Sequence, residues 1–333
     1  MKTISRALLI IILVSIFGLG LYSCDKNDNN GTDSGNTPVG PNGGGPPVDN
    51  NWQHAMSFND LAYGSDNQQT LDISLPTYLD MLQSKVYVCL FLGDSEGESS
   101  HFDEIIEELL DKSHLRFAAV KVNYRSDKTT LEMLEDIRTA IEFLKTNASK
   151  YKLETTKLGM MGYAVGGYLS ILYSYKITSP IPVKLVLAQS AFTSLTNGAF
   201  YSFPYTTDPA KQTAMLESRL QLVSQLSGEE ITLANYEDIS DKSTTLYGKL
   251  EELSVESYFT LSGGPEQFHL YHGEHDDIYN LSIMSDFKSK AGESRVKLFI
   301  FDSGHDDLYD DETRLNEAVD KLGQAAEDIF IRN

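Results

Sequence analysis

The chain has 333 residues, of which 41% are hydrophobic, and a formal net charge of −21. Such an acidic surface repels the phosphates of nucleic acid and argues against electrostatic docking to an anionic membrane. We therefore predict no nucleic-acid partner, and the general solubility of an exported protein explains the charge most simply.

Residues 1–24 are typical of a bacterial lipoprotein signal peptide. A basic start is followed by an apolar run over residues 7–21. The run ends in Leu-Tyr-Ser-Cys, which resembles a lipobox, so Cys24 would become the lipidated first residue of the mature protein. The alternative is an uncleaved membrane anchor, for which this apolar run is short.

Residues 25–51 are rich in Asn, Gly and Pro, a composition that cannot bury a core and predicts a flexible tether. The charged residues 25–28 faintly resemble signals that send lipoproteins to the outer face of the outer membrane. We therefore expect a location in the cell envelope, with the lipid on Cys24 in the outer membrane and surface exposure as the finer hypothesis.

Residues 52–333 alternate between strand-like and helix-like patterns, which predicts one α/β domain with a mostly parallel sheet and helices on both faces. Apolar runs predict strands at Ser57–Tyr63, Thr70–Leu75, Val86–Leu92, Phe117–Asn123, Lys157–Gly162, Val183–Gln189, Phe268–His272 and Val296–Phe301. The first two would form an antiparallel edge. Leu131, Leu134, Ile137, Ile141 and Leu144 predict one helix, and residues 105–110, 168–175 and 312–331 predict others.

Two other features lie within this domain. The interval 193–264 is longer than a plain crossover needs and predicts a small cap insertion with a helix over Lys211–Gln225. Its aromatic residues Phe200, Tyr201, Phe203 and Tyr205 are interpreted as cap packing, with a sugar platform as the alternative. Cys89 lies in an apolar run and is predicted to be a buried core thiol.

The segment Gly-Tyr-Ala-Val-Gly-Gly, residues 162–167, has the strand–turn–helix context of a G-x-S-x-G nucleophile elbow. Ala164 stands where that motif has its serine. Gly162 and Gly166 would let the strand and the helix approach closely, although a plain tight turn would also use glycines. Without a hydroxyl at position 164, the usual acyl-enzyme cannot form.

Further motifs follow in order along the chain. They are Leu-Asp-Ile-Ser-Leu-Pro at 71–76, Val-Asn-Tyr-Arg at 122–125, Glu-Asp at 135–136, and His-Gly-Glu-His-Asp at 272–276. Together with the elbow, they resemble an α/β-hydrolase of the carboxylesterase/lipase group, near the hormone-sensitive-lipase and feruloyl/acetylxylan-esterase-like branches. The resemblance runs from about Leu61 to the carboxyl terminus.

The resemblance implies a triad acid at Asp276 and a triad base at His305. Asp276 would orient the histidine, and His305 would carry the proton of the nucleophile, which is the serine missing here. A loop cap at Asp276 and a solvated His305 are the alternatives. The family's oxyanion loop corresponds to Leu92–Glu98, in which Gly93 keeps its place and Asp94 stands where the family has glycine. Val165 could donate its backbone N–H, and the identity of the second donor stays open. Carboxylates in that loop oppose a developing negative charge, and Tyr168 stands where the family commonly has histidine.

Other groups could supply the chemistry that Ala164 lacks. Ser170 lies one helical turn inside, Ser190 lies off the elbow, and Tyr163 has a hydroxyl whose ordinary pKa is about 10. His269, His272, His275, Asp276, Asp277, Asp306 and Asp307 crowd near the site, but their spacing matches no metal motif. We predict neither a metal nor a cofactor.

The favoured hypothesis is an exported lipoprotein whose esterase-like domain has lost serine-hydrolase chemistry and serves as a binding or accessory module. The alternative is an active carboxylic-ester hydrolase with an unconventional nucleophile, acting on a small acyl ester or an acylated polysaccharide. The candidate ligand is a small ester or glycan in either case.

Replacement of the predicted lipidation site tests the location. Cys24→Ala should release the protein from the membrane fraction or block its processing, because no thiol remains to carry the lipid. Fractionation followed by immunoblotting measures this outcome, with Ser23→Ala as the matched control that keeps a small residue before the cysteine. Recovery of the wild-type protein as a soluble, unmodified cytoplasmic chain would contradict the prediction.

Overall fold

The computed structural model describes residues 57–76, 85–93, 102–111, 117–259, 264–308 and 310–330. The predicted signal peptide, its Cys24 and the tether therefore lie outside the described residues. Within the described ranges, no helix combines the length and the apolar composition that a membrane crossing requires.

In these described ranges, eight strands form one sheet in the order β1-β2-β4-β3-β5-β6-β7-β8. The strands are β1 (Ser57–Ala62), β2 (Thr70–Ser74), β3 (Val86–Leu92), β4 (Phe117–Val122), β5 (Leu153–Tyr163), β6 (Val183–Gln189), β7 (Gln267–Gly273) and β8 (Val296–Phe301). Pairs β1–β2 and β2–β4 are antiparallel, and every later pair is parallel. The predicted antiparallel edge and parallel body are both confirmed.

The central strands β3, β5 and β6 are buried on both faces over most of their length. Near-continuous apolar runs are typical of parallel strands that helices cover on both sides. The helices are α1 (Asp103–Asp111), α2 (Thr130–Thr146), α3 (Val165–Lys176), α4 (Pro209–Ser227), α5 (Thr245–Glu252), α6 (Leu281–Ala291) and α7 (Glu312–Phe330). The α/β fold class that the sequence predicts is confirmed.

Strand β5 and helix α2 each differ from the sequence prediction in one detail. Strand β5 begins at Leu153, four residues before the predicted start, because parallel pairing with β3 extends to Val86 opposite Leu153. Leu131 does not belong to the buried stripe of α2, since it lies in the first turn and is 53% exposed. Met133 takes its place in the core, beside Leu134.

The interval 193–264 forms no further strand in its described part. It contains α4, α5 and three 3₁₀ turns, at Gly198–Tyr201, Tyr236–Ile239 and Val255–Tyr258. Helix α4 has an Asp208 cap at its start and a left-handed Gly228 at its end, so local signals define both of its ends. The predicted helix at Lys211–Gln225 is thus longer by two residues at each end.

Buried groups tie the insertion to α3 and join the two ends of the insertion to each other. The Tyr168 hydroxyl on α3 donates to the Leu253 carbonyl at 2.7 Å, and the Val255 amide donates to the Thr193 carbonyl at 2.8 Å. Cys89 is buried in β3 as predicted, and burial raises the pKa of its thiol to about 12. The thiolate is therefore scarce near neutral pH, as expected for a core residue.

A buried carboxylate joins the antiparallel edge to the body of the sheet. Asp136 on α2 is 1% exposed and accepts hydrogen bonds from Gln69 Nε2 at 2.7 Å and from the Arg125 guanidinium at 2.6–3.2 Å. The Arg125 backbone amide adds another at 3.1 Å. The Val-Asn-Tyr-Arg and Glu-Asp motifs thus form one network, which fixes the chain where it leaves β4.

Asp136→Ala should lower the free energy of unfolding by about 3–5 kcal/mol, because it leaves a half-buried guanidinium and a buried amide without their acceptor. Denaturant unfolding followed by circular dichroism measures the change. Glu135→Ala is the matched control, since this neighbouring carboxylate is exposed and pairs with Arg138 one turn away. The control should change stability by less than about 0.5 kcal/mol, and an equally mild Asp136→Ala would contradict the network's role.

Candidate active site

The turn between β5 and α3 has the backbone of a nucleophile elbow. Ala164 adopts φ 49° and ψ −111° and precedes the first residue of α3, Val165. A positive φ is unfavourable for a residue with a Cβ and costs about 1–3 kcal/mol. The Ala164 amide donates to the Gln189 carbonyl at 3.0 Å, so β6 helps to hold the turn in this conformation.

The two glycines of the motif sit where no side chain fits. A Cβ on Gly162 would lie 2.2 Å from the Gly166 carbonyl, and a Cβ on Gly166 would lie 2.1 Å from the Gly93 carbonyl oxygen. Both contacts involve backbone atoms, which cannot move aside as a flexible side chain can. The glycines therefore allow close approach of three segments, and the alternative of a merely tight turn does not describe them.

His305 and Asp276 meet at the carboxyl end of the sheet. Asp276 follows β7 and His305 follows β8, and the two strands are parallel neighbours. His305 Nδ1 lies 2.9 Å from Asp276 Oδ2 and 3.0 Å from Oδ1. Both side chains are buried, at 9% and 1% exposure. This is the base–orienter geometry of a serine-hydrolase triad.

Asp276 also caps its own loop, so contact with His305 and the capping of the loop occur together at this residue. Its Oδ1 accepts from the Ile278 and Tyr279 amides at 2.9 and 2.7 Å. Burial opposes ionisation of this carboxyl, but the hydrogen bond from His305 and the charges of His305 and His272 lower its pKa below the ordinary value. Asp276 is therefore a carboxylate near neutral pH and can stabilise an imidazolium.

His272, near the end of β7, lies next to the His305–Asp276 pair. Its Nε2 is 2.9 Å from the Tyr279 carbonyl oxygen and 3.6 Å from Asp276 Oδ2. Burial lowers the pKa of His272, which keeps the ring neutral near pH 7. With Nε2 protonated, the ring donates to Tyr279 and braces the loop that carries Asp276.

Tyr163 and Asp306 occupy the other side of the His305 ring. The Tyr163 hydroxyl donates to Asp306 Oδ1, and this oxygen lies 3.9 Å from His305 Nε2. The Tyr163 ring centroid is 5.3 Å from that of His305. In a working triad, Nε2 faces the serine hydroxyl. Here the Tyr163 ring and the Asp306 carboxylate lie near Nε2, and residue 164 has a methyl group in place of a hydroxyl.

The candidate oxyanion residues are only partly described. Gly93 follows β3 and lies against the first turn of α3, and its carbonyl accepts from the Tyr124 hydroxyl at 2.9 Å. Val165 begins α3 and is buried. Asp94, the residue predicted to oppose a developing negative charge, lies outside the described residues, as do Ser95 and Glu96.

The alternative nucleophiles have other partners. Ser170 donates to the Gly166 carbonyl within α3 at 2.8 Å, and Ser190 donates to the His305 carbonyl at 3.3 Å. The Ser190 hydroxyl thus contacts the backbone of His305 rather than being paired with its ring. Tyr163 donates to Asp306. None of these contacts matches the nucleophile–base pair of a triad.

Within the described ranges, no three His, Cys, Asp or Glu residues are arranged to hold a metal ion. Burial lowers the pKa of His269 to about 4, and this ring packs against Phe299.

The aromatic residues of the cap differ in their exposure. Phe200, Tyr201 and Phe203 are buried, which fits cap packing, whereas Tyr205 is 55% exposed and donates to the Glu274 carbonyl at 2.6 Å.

Two arginines that the sequence did not single out hold the site loops. Arg314 donates to the carbonyls of Asp302, Asp307 and Leu308 and encloses the loop that carries His305. Arg219 donates to the Ile278 carbonyl in the loop that carries Asp276. No motif surrounds either arginine, so only the fold reveals these contacts.

The fold agrees with comparisons against known proteins. Residues 71–191 match the family model BD-FAE. Esterase B from Lactobacillus Rhamnosis is 14% identical over 83% of this chain and 88% of its own, with a TM-score of 0.61. A fungal esterase structure from Rhizomucor miehei is 15% identical over 84% and 85%, with a TM-score of 0.59.

A third similar structure is the bifunctional GH43-CE protein of Bacteroides eggerthii, which is 22% identical over 80% of this chain with a TM-score of 0.58. The present chain spans 38% of the length of that protein. A search of curated protein sequences gives no match. The described domain has the α/β-hydrolase fold of carbohydrate esterases and carboxylesterases, as the sequence motifs predict.

Restoring the hydroxyl tests whether the elbow is still poised for chemistry. Ala164→Ser should become detectably reactive to a fluorophosphonate probe, because the backbone turn and the His305–Asp276 pair are both present. We expect a poor esterase, since one weakened oxyanion donor typically costs about 10²–10³-fold in kcat.

Gel-based probe labelling and p-nitrophenyl acetate turnover measure the two effects. The matched control combines Ala164→Ser with His305→Ala and should return to background, whereas Ser170→Ala in the same background should not. Full carboxylesterase activity in the single variant would show that the oxyanion hole is intact. Complete inertness to the probe would show that His305 is not poised at the elbow.

Proposed function

We propose that this protein is an envelope lipoprotein whose esterase-like domain binds an acyl ester or glycan without forming an acyl-enzyme. The observation that carries this proposal is Ala164 on an elbow-like turn after β5, at the same edge of the sheet as the His305–Asp276 pair. Loss of a triad serine typically costs on the order of 10⁶-fold in kcat, equal to about 8 kcal/mol of transition-state stabilisation. Binding needs no such nucleophile, so a fold of this kind retains recognition when chemistry is lost.

Similar structures support the class of ligand. They include an esterase inhibited with a tributyrin phosphonate, a carbohydrate esterase from gut microbiota and a bifunctional GH43-CE protein. An acylated saccharide or a short acyl ester is therefore the ligand class that we assign to the elbow. The signal-like residues 1–24 support lipid anchoring through Cys24, and the outer membrane remains our proposed location.

The intact His305–Asp276 pair favours a second candidate, a hydrolase that uses water in place of the serine hydroxyl. His305 would take a proton from a water molecule while the oxygen of that water bonds to the acyl carbon of the ester. Asp276 would stabilise the resulting imidazolium. The imidazolium would then protonate the departing alkoxide as the ester bond breaks, giving a carboxylic acid and an alcohol. No covalent intermediate forms on the protein in this sequence.

Turnover measurements separate the two candidates. Wild-type protein should hydrolyse p-nitrophenyl acetate and feruloyl esters at background rates and should not label with a fluorophosphonate, because no activated serine is present. Thermal-shift screening with acetylated and feruloylated xylo-oligosaccharides should show stabilisation that Tyr163→Ala weakens. Clear turnover that His305→Ala abolishes would instead establish the hydrolase, and the absence of both turnover and binding would contradict both candidates.

A further inference from the structure

The guanidinium of Arg219 is buried at the junction between the cap and the site. Arg219 lies on α4, is 6% exposed, and donates from Nη1 to the Phe200 carbonyl at 2.7 Å and from Nη2 to the Ile278 carbonyl at 2.6 Å. In the part of the chain that the structure describes, the guanidinium has no salt bridge, and the charge of Asp276 acts on it from beyond ion-pair distance. A buried cation is costly to desolvate, so an apolar side chain would serve simple packing better.

Aromatic ring faces from the cap and from the loop that carries Asp276 enclose the charge of Arg219. Its central carbon lies 4.3 Å from the ring centroid of Phe200 in the cap and 4.5 Å from that of Tyr279 in the site loop. A guanidinium at such distances is attracted by the electron-rich ring faces. Arg219 therefore fixes the Tyr279 ring as well as the Ile278 carbonyl.

Both contacts lead directly to the acid–base pair. Ile278 and Tyr279 donate their backbone amides to Asp276 Oδ1, so the loop that Arg219 holds also orients the carboxylate. The Tyr279 ring packs edge-on against His305, with centroids 5.2 Å apart. The Arg219 guanidinium thus supports both Asp276, which is the hydrogen-bond partner of His305 Nδ1, and Tyr279, which packs against the His305 ring.

We propose that Arg219 is a positioning residue, through which the cap insertion sets the geometry of the His305–Asp276 pair. The inference rests on the pair that the proposed function uses, but it does not depend on whether that pair catalyses a reaction. Arg219 touches neither partner of the pair through its guanidinium hydrogen bonds, and it acts through the 276–279 loop. The cap is then part of the site rather than only its cover.

Proton NMR of the whole folded domain tests this directly. A histidine Nδ1–H that is hydrogen-bonded to a buried carboxylate gives a far-downfield proton resonance, and His305→Gln identifies it by its loss. We expect Arg219→Met to abolish or shift this resonance, and Arg219→Lys, which keeps the charge but not the two-carbonyl fork, to restore it only in part. Spectra are compared over the pH range in which histidines titrate.

Two variants of the same helix provide matched controls. Lys211→Met removes an exposed charge from α4, and Leu220→Ala removes a buried side chain that lines a different surface cavity with Ile231 and Leu233. Both should leave the resonance unchanged, although Leu220→Ala lowers the melting temperature. If Arg219→Met does not fold, Arg219→Lys and the two controls carry the comparison.

The outcomes are separable. A wild-type resonance that persists unshifted in Arg219→Met and Arg219→Lys overturns the inference and leaves the proposed function standing. Equal loss in Leu220→Ala and Arg219→Met also overturns it, because the effect then follows cap stability alone. Absence of the resonance from wild-type protein would refute the His305–Asp276 bond, and both proposals would fall with it.

Discussion

The contact among three backbone segments at the end of β3 and β5 is the constraint on which the site depends. Gly162 and Gly166 allow the strand, the turn and the first turn of α3 to approach Gly93 with no side chain between them. Ala164, between these glycines, adopts a positive φ, which the fold tolerates because a hydrogen bond to Gln189 in β6 and burial hold the turn. The strained backbone of a nucleophile elbow therefore persists here, although residue 164 lacks the hydroxyl that such a turn presents in a serine hydrolase.

The parallel sheet then determines what surrounds that turn. Strands β5, β6, β7 and β8 are successive neighbours, so the loops at their carboxyl ends meet at one edge. Ala164, Ser190, Asp276 and His305 reach that edge from four strands, and ligand sites of open α/β sheets occupy this position. The order of the strands, rather than closeness in the sequence, brings His305 to the elbow region.

Each site loop is held by a side chain from a different part of the chain. Arg314 at the start of α7 fixes the loop of His305, and Arg219 in the cap fixes the loop of Asp276. His272 braces the second loop from below. These supports maintain an acid–base pair that has no serine to activate, which fits a site kept for recognition or for chemistry by another nucleophile.

The sequence by itself determined the fold class, the strand positions and the order of the motifs, because apolar periodicity and glycine-rich turns are local properties of the chain. It also determined that position 164 has no hydroxyl. Tertiary structure alone decided that Leu131 is exposed, that Asp276 caps its loop while it binds His305, and that Tyr163 reaches Asp306. It also decided the role of Arg219, since cation–π contacts and hydrogen bonds across 59 residues leave no periodic pattern in the sequence.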